Sequence, residues 1–364
     1  MENSSDGHEI IQFDFTSHKR KAIEAYTKVR PQYERYANIL KDLIFKCLQH
    51  ADIKYHSIEA RAKSIESFGE KASKPSDDNS NEPQYKNAIE EITDKAGVRI
   101  IAFFPKNIEE IDNLLSREFF VIEKSNKNDL LEKEEKFGYQ SVHYLVKLPE
   151  SRENLPEYSD YKGLISEIQV RTILQHAWAE IEHDIEYKNS VVIPKSIKRR
   201  FLILAGLIEL ADREFQSIQN ENEDLKKHSR RLVNSGILDE IEITGDSLKA
   251  YLDKKFGPDG RLVKFSYDYE ARILIKIGFK NLHQIDECIK PYNADNISRI
   301  LFGSRMGQLS RLEFVITAGL GKEIIVRHPY TAKGDSWWIK IINDRLSLLE
   351  NSGIKTGTFT LPNL

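Results

Sequence analysis

Cysteine and methionine are nearly missing from this chain, with two of each among 364 residues. Cys47 and Cys288 alone can build neither a disulfide framework nor a zinc site, so the expectation is two buried free thiols in a reducing cytosol. No apolar run approaches the ~18 residues that a membrane span needs. The N-terminus, MENSSDGHEI, has no apolar segment of the signal-peptide kind. A cytoplasmic protein with no membrane partner is therefore expected. Charge of one sign is also scarce: 54 Lys and Arg against 57 Asp and Glu leave a net −3. That balance excludes a chain coated in nucleic acid but permits local basic patches. What is present is an ordinary soluble composition, 40 % hydrophobic and 30 % charged, on a chain long enough for two domains.

Residues 17–50 are rich in Lys, Arg, Glu and Ala with apolar residues at helical spacing, and Pro31 predicts either two helices or a kinked one. A second helix is expected around Ile58, Ile65 and Phe68, ending in the polar loop KASKPSDDNSNEPQ. Four strand-like runs follow, Val98–Phe104, Phe119–Glu123, Val142–Leu148 and Ile165–Val170, with a helix around Ile108–Leu115 and another starting near Thr172. The fold class is α/β or α+β, a mixed sheet with helices. From Ile197 to Ile218 apolar residues alternate four and three apart, a heptad seam; packing within its own domain is favoured over a contact between subunits or domains. Beyond Gly236 strand-like runs (Leu262–Tyr269, Arg272–Gly278, Arg311–Thr317, Glu323–Val326) alternate with helical ones near Leu282–Ile289 and Trp337–Leu349. The expected domains are a helical segment at 1–50, a core domain at 51–190, connecting helices at 191–236, and a smaller α/β domain at 237–364.

Four clusters carry chemistry. Lys63, Ser67 and Lys71 would share one stripe of a helix, able to hold a polyphosphate by charge and hydroxyl donation; the plain alternative is a solvated basic face. Asp94 stands at the mouth of a strand, five residues before Arg99, where an acid can place a Mg²⁺ ligand beside a nucleotide or simply cap a loop. In Gly138-Tyr139-Gln-Ser141-Val-His143, period two puts Tyr139, Ser141 and His143 on one face, suited to base stacking and phosphate or ribose contacts, or to an ordinary half-buried strand. Glu167, Gln169 and Arg171 share a strand face opposite Ile168 and Val170. A structural strand has little reason to aim Glu, Gln and Arg at one surface, so this is the strongest signal.

Taken in order, these clusters resemble the RelA/SpoT alarmone synthetases. The family pattern R-x-K-S, D-x-x-G-x-R, G-Y-x-S-x-H, E-x-Q-x-R-T and W-A-x-x-E-H-x-x-x-Y-K is met from Arg61 through Trp178, Glu182, His183, Tyr187 and Lys188. Phe137 stands where the family often has Asn. The resemblance implies a nucleotidyltransferase-like mixed sheet and a Mg²⁺-dependent transfer of pyrophosphate from ATP to the 3′-hydroxyl of GTP or GDP. It also implies the roles: Arg61 and Arg99 would sandwich adenine, and Lys63, Ser67 and Lys71 would hold the triphosphate. Asp94 and Glu167 would bind Mg²⁺, with Glu167 taking the proton of the attacking hydroxyl. Tyr139 would stack on the acceptor base, His143 would bind its phosphate, and Ser141, Gln169 and Arg171 would line the same cleft.

A rival expectation is a toxic relative that pyrophosphorylates tRNA 3′ ends or makes adenine alarmones, restrained by its C-terminal domain. Basic clusters at Lys195, Lys198, Arg199 and Arg200, and at Lys226, Lys227, Arg230 and Arg231, lend it something, though solvated helix faces interleaved with Glu and Asp remain the favoured reading. Residues 237–364 hold no recognisable motif; they are expected to answer an unknown protein or ligand signal, and their Tyr267/Tyr269 and Trp337/Trp338 pairs are expected in the core.

Overall fold

A computed structural model describes residues 13–126, 141–188, 194–259, 264–332, 334 and 336–362. It divides into two compact units, Met1–Ile218 and Gln219–Leu364. No described helix is long and apolar enough to cross a membrane.

In the first unit, helix α1 (Phe15–His50) is opened by Asp14, whose carboxylate accepts from the Ser17 amide at 3.0 Å. It runs unbroken through Pro31. A proline costs a helix one hydrogen bond and a steric clash, but the buried Tyr26, Tyr36, Leu40, Ile44 and Leu48 on either side hold the helix to the core. Five strands make the expected mixed sheet, in the order β1-β2-β5-β4-β3: β1 (Ser57–Ala62), β2 (Ala96–Ala102), β3 (Phe120–Asn126), β4 (Val142–Lys147) and β5 (Ser166–Thr172). Only β2 and β5 are parallel; the other neighbours are antiparallel. Val98, Ile100, Ile168 and Val170 fill one face of the two central strands and pack under α1 and α4 (Pro105–Glu118).

Strand β1 corrects the sequence expectation. Ser57–Ala62 is extended, so Arg61 lies on a strand, and Lys63 sits in the turn before the short helix α2 (Ile65–Ala72) instead of sharing its stripe with Ser67 and Lys71. Ala, Glu and Arg are good helix formers, but pairing with β2 in the register Glu59↔Arg99 and Arg61↔Gly97 overrides that preference. A four-residue helix α3 (Ala88–Glu91) precedes β2, another, α5 (Glu150–Glu153), follows β4, and α6 (Ile173–Lys188) follows β5 directly.

Helix α7 (Lys195–Ser235) confirms the helical spacing from Ile197 but not the buried seam. Its buried side carries Ala205 and Asp212, with Ala205 packed against Trp178. Ile197, Leu204, Phe215 and Ile218 of the heptad are exposed. Asp212 accepts from the Thr172 hydroxyl at 2.6 Å, so α7 braces the end of β5.

Every regular element among the described residues of the second unit is a helix, which corrects the α/β expectation for 237–364. Its elements are α8 (Gly245–Phe256), α9 (Lys264–Ile277), α10 (Leu282–Ile289), α11 (Ala294–Phe302), α12 (Gln308–Leu320), α13 (Glu323–Arg327), α14 (Pro329–Ala332) and α15 (Ser336–Asn351). The runs at 264–269, Arg272–Gly278, Arg311–Thr317 and Glu323–Val326, expected as strands, all fall in helices or at their ends. Residues 311–320 are buried on most sides, and a fully buried helix shows the same continuous apolar run as a buried strand. Gly319 lets α12 approach α10: a Cβ there would stand 2.4 Å from the Cys288 sulfur. Cys288 is buried as expected, whereas Cys47 is only half-buried.

Candidate active site

The polar face of the sheet is the floor of a cleft of about 680 Å³ that includes Arg61, Lys63, Ser67, Lys71, Asp94, Arg99, His143, Glu167 and Gln169. Period two along β5 turns Glu167 and Gln169 toward this cleft while Ile168 and Val170 enter the core, as expected. Gly97 lies in register between Arg61 on β1 and Glu167 on β5, so the floor has no side chain at that point.

On one wall, Lys63 and Lys71 converge on a single oxygen of Asp94: Nζ to Oδ2 is 2.8 Å for Lys63 and 3.1 Å for Lys71. The Lys63 carbonyl is held by the Tyr26 hydroxyl at 2.8 Å and by Arg30 Nε at 3.2 Å, so α1 positions this turn. Buried Lys95 donates to the carbonyls of Ile89 and Ile92 and fixes the loop that carries Asp94. Burial pushes the Asp94 carboxyl up, but the hydrogen bond from Lys63 and the charges of Lys71 and Lys63 outweigh it and hold the group below the ordinary aspartate range. Its other oxygen, Oδ1, is buried and has no hydrogen-bond partner among the described residues. A buried carboxylate oxygen without a donor is open to a water or a cation. Ser64 caps α2 by accepting from the Ser67 amide at 3.1 Å and donates to the Ser67 hydroxyl at 2.8 Å, leaving that hydroxyl beside the two lysines.

Across the floor, a chain of hydrogen bonds fixes Glu167. Ser141 Oγ and His143 Nε2 are 2.7 Å apart, and His143 Nδ1 lies 2.7 Å from Glu167 Oε1. With the Nδ1 proton given to the carboxylate, the Ser141 hydroxyl donates to Nε2. Gln169 Nε2 donates to Glu167 Oε2 at 2.9 Å, and Arg171 donates to the Gln169 Oε1 at 2.7 Å. Ser141 and Arg171 are both buried and support this chain from behind. Burial, and then the charge of Arg99, bring the Arg171 guanidinium down to about 10, so it stays charged at neutral pH. Tyr139 lies outside the described residues.

Sequence reasoning missed two carboxylates. Arg99 is held by Glu180 at 2.8 Å and by Glu59 at 3.3 Å. Glu180 stands inside the W-A-x-x-E-H element and Glu59 faces Arg99 only through strand pairing, which no local pattern announces. His183 also borders the cleft.

Residues 60–191 match the family described as "Region found in RelA / SpoT proteins". GTP pyrophosphokinase YjbM of Bacillus subtilis (strain 168) is 30% identical over 174 residues, covering 47% of this chain and 74% of that protein. The chain belongs to the RelA/SpoT family. A second family member, GTP pyrophosphokinase YwaC of the same organism, is 33% identical over 133 residues, covering 36% of this chain and 60% of its own length. Among solved structures, the small alarmone synthetase 1 from Bacillus subtilis bound to its product pppGpp matches with 26% identity and a TM-score of 0.43, over 52% of this chain and 93% of that one. The family match lies wholly within the first unit and contains every residue of the cleft described above except Glu59.

Proposed function

We propose that the chain is an ATP:guanine-nucleotide 3′-pyrophosphotransferase, making (p)ppGpp from ATP and GTP or GDP and releasing AMP. One observation carries this reading: a lysine pair gathered on Asp94 and a hydrogen-bonded Glu167 line the same cleft, in a chain of this family. Lys63, Lys71 and Ser67 would hold the triphosphate, with the N-terminus of α2 adding its positive end. Arg61 and Arg99 are diagonal neighbours on the same face of β1 and β2. Such pairs stand about 7–8 Å apart, the room a planar base needs between two guanidinium planes.

The acceptor 3′-oxygen attacks the β-phosphorus of ATP, the bond from that phosphorus to the α-phosphate-bridging oxygen breaks, and AMP leaves. A secondary alcohol is a poor nucleophile at neutral pH, so Glu167 is placed to take its proton. His143 and Gln169 keep that carboxylate oriented. Both His143 ring nitrogens are engaged, by Glu167 and Ser141, so a contact with the acceptor's phosphate would require one of these hydrogen bonds to be exchanged. Asp94 and Glu167 form a donor set suited to Mg²⁺, which takes one or two carboxylates and keeps waters or phosphates at its other positions. Such an ion, when bound, supplies positive charge against the oxygens on which negative charge builds.

The direct test offers radiolabelled ATP with GDP, GTP, ATP or deacylated tRNA. Label is expected on the guanine nucleotides; label on tRNA or ATP alone would overturn the acceptor assignment in favour of the toxic relative. Run on residues 1–236 as well, the same assay is expected to show a changed rate, since we assign residues 237–364 a regulatory role. Tyr139→Ala is expected to weaken acceptor use by the loss of a stacking contact worth about 1–3 kcal/mol, with ATP affinity unchanged in equilibrium binding. An equal fall for both nucleotides would contradict the placement of Tyr139.

A further inference from the structure

The second unit contains a cavity of about 270 Å³ between α9, α12 and α15, separate from anything the transferase chemistry uses. Aliphatic side chains line much of it, and one corner is aromatic. His328 stacks on Trp338 with ring centres 4.1 Å apart, and Tyr330 meets Trp338 edge-on at 79°. The Tyr269 and Tyr330 hydroxyls lie 2.6 Å apart, joining the corner to α9. Trp337 stands at the edge, 70 % exposed, although a Trp-Trp pair in sequence reads as core.

Three charged side chains border the cavity. Glu313 is paired with Arg345 at 2.6 Å, and that guanidinium also lies over the Phe314 ring. Glu270 has no ion pair or hydrogen bond among the described residues. His328 is held uncharged: burial lowers it to about 4, and its Nδ1 accepts from the Tyr330 amide at 3.2 Å. With Glu270 ionised, two carboxylates and one guanidinium leave the cavity one negative charge in surplus, and that charge belongs to Glu270. An anion would meet that charge as repulsion, and a purely apolar ligand leaves the carboxylate unmet.

We propose that this cavity binds a small organic cation, a substituted ammonium group seated against Trp338 and Tyr330 with Glu270 as its counter-charge. A ring face attracts an ammonium through the ring quadrupole, and the attraction grows as water is excluded. His328 covers one face of Trp338, so the cation would take a remaining face of this corner. A carboxylate behind the rings adds the charge complement, and its own burial is relieved when the cation arrives. The volume lies just below the usual range of small-molecule sites, so the ligand is compact. Burial, reinforced by the charge of Glu313, raises the Glu270 carboxyl to about 7 in the free protein. Cation binding therefore competes with a proton.

The test titrates the full chain calorimetrically with choline and with 3,3-dimethylbutan-1-ol, which has the same shape without the charge. Choline is expected to bind saturably and at least tenfold more tightly than the alcohol. Its affinity should rise about tenfold from pH 6 to pH 8, following the ionised fraction of a group titrating near 7. Glu270→Gln should lose at least tenfold in choline affinity and all of that pH dependence, with the circular dichroism and pyrophosphate transfer of the parent. Trp338→Phe should keep part of the affinity, and Trp338→Leu should lose it. Equal binding of choline and the alcohol, a flat pH profile in the parent, or no saturation by choline or tetramethylammonium would each overturn the proposal.

Discussion

Glu167→Gln is expected to reduce pyrophosphate transfer by about 10²–10⁴-fold, the usual contribution of a positioned general base. The side chain lies at the cleft floor, so the amide fits without repacking the core. Its two oxygens face Nδ1 of His143 and Nε2 of Gln169; the amide oxygen can accept from Gln169, and the amide NH2 meets Nδ1 only if His143 changes tautomer. One charge-assisted hydrogen bond is lost, about 1.5–3 kcal/mol at most, which leaves a folded protein. ATP should still bind, because Lys63 and Lys71 are untouched. A rapid-quench assay with labelled ATP checks the rate, and equilibrium dialysis checks the binding. Near-normal turnover in this variant would remove the proposed mechanism.

Asp94→Asn should have an effect of similar size on transfer but a different signature in binding. In the structure both lysines of the phosphate wall spend their charge on Asp94 Oδ2. Without that carboxylate they are released, so ATP in the presence of a chelator should bind as well as in the parent or better. The tightening normally gained by adding Mg²⁺ should disappear, because the carboxylate with the unpartnered Oδ1 is gone. Comparing ATP affinity with Mg²⁺ and with chelator separates these two effects. If the variant loses ATP binding equally under both conditions, Asp94 is an organiser of the lysines and not a metal ligand.

The same variant carries a stability signature. The Asp94 carboxyl sits below its ordinary value when folded, so its contribution is fully present above the unfolded value near 3.9 and is lost as pH falls through the lower folded value. Parent and Asp94→Asn should therefore differ by a constant amount in denaturation from pH 5 to 8 and converge below about pH 4. The three side chains are 20–29% exposed, so water screens the pair and the difference should stay near 1 kcal/mol. A difference that grew toward low pH would mean that the carboxylate costs stability there.

Much of the catalytic unit could be read from residue order alone, and the reason is periodicity. Alternation along Ser166–Thr172 sends Glu167 and Gln169 one way and Ile168 and Val170 the other, and any sheet that buries the apolar side must present the polar one. The long α1 and α4 declare themselves by the spacing of their apolar residues. These patterns are local, so they survive without knowledge of neighbours.

Tertiary structure decided what such patterns leave open. Ser57–Ala62 is built of residues that also suit a helix, and only the edge of β2, offering its unpaired backbone, makes it a strand. That choice places Glu59 beside Arg99 and moves Lys63 out of the helix into a turn held by α1. In the second unit, Arg311–Thr317 is buried at every position but Glu313 and rich in β-branched residues, so no period distinguishes strand from helix. The helix won because its surroundings are other helices, with Gly319 admitting Cys288 at close range. Glu270 and Trp338 are likewise unremarkable in the chain, and the surplus charge of their cavity exists only where α9, α12 and α15 meet. Order and period along the chain specify which faces are polar; which polar groups face each other is specified only by packing, because distance in space and distance along the chain are independent.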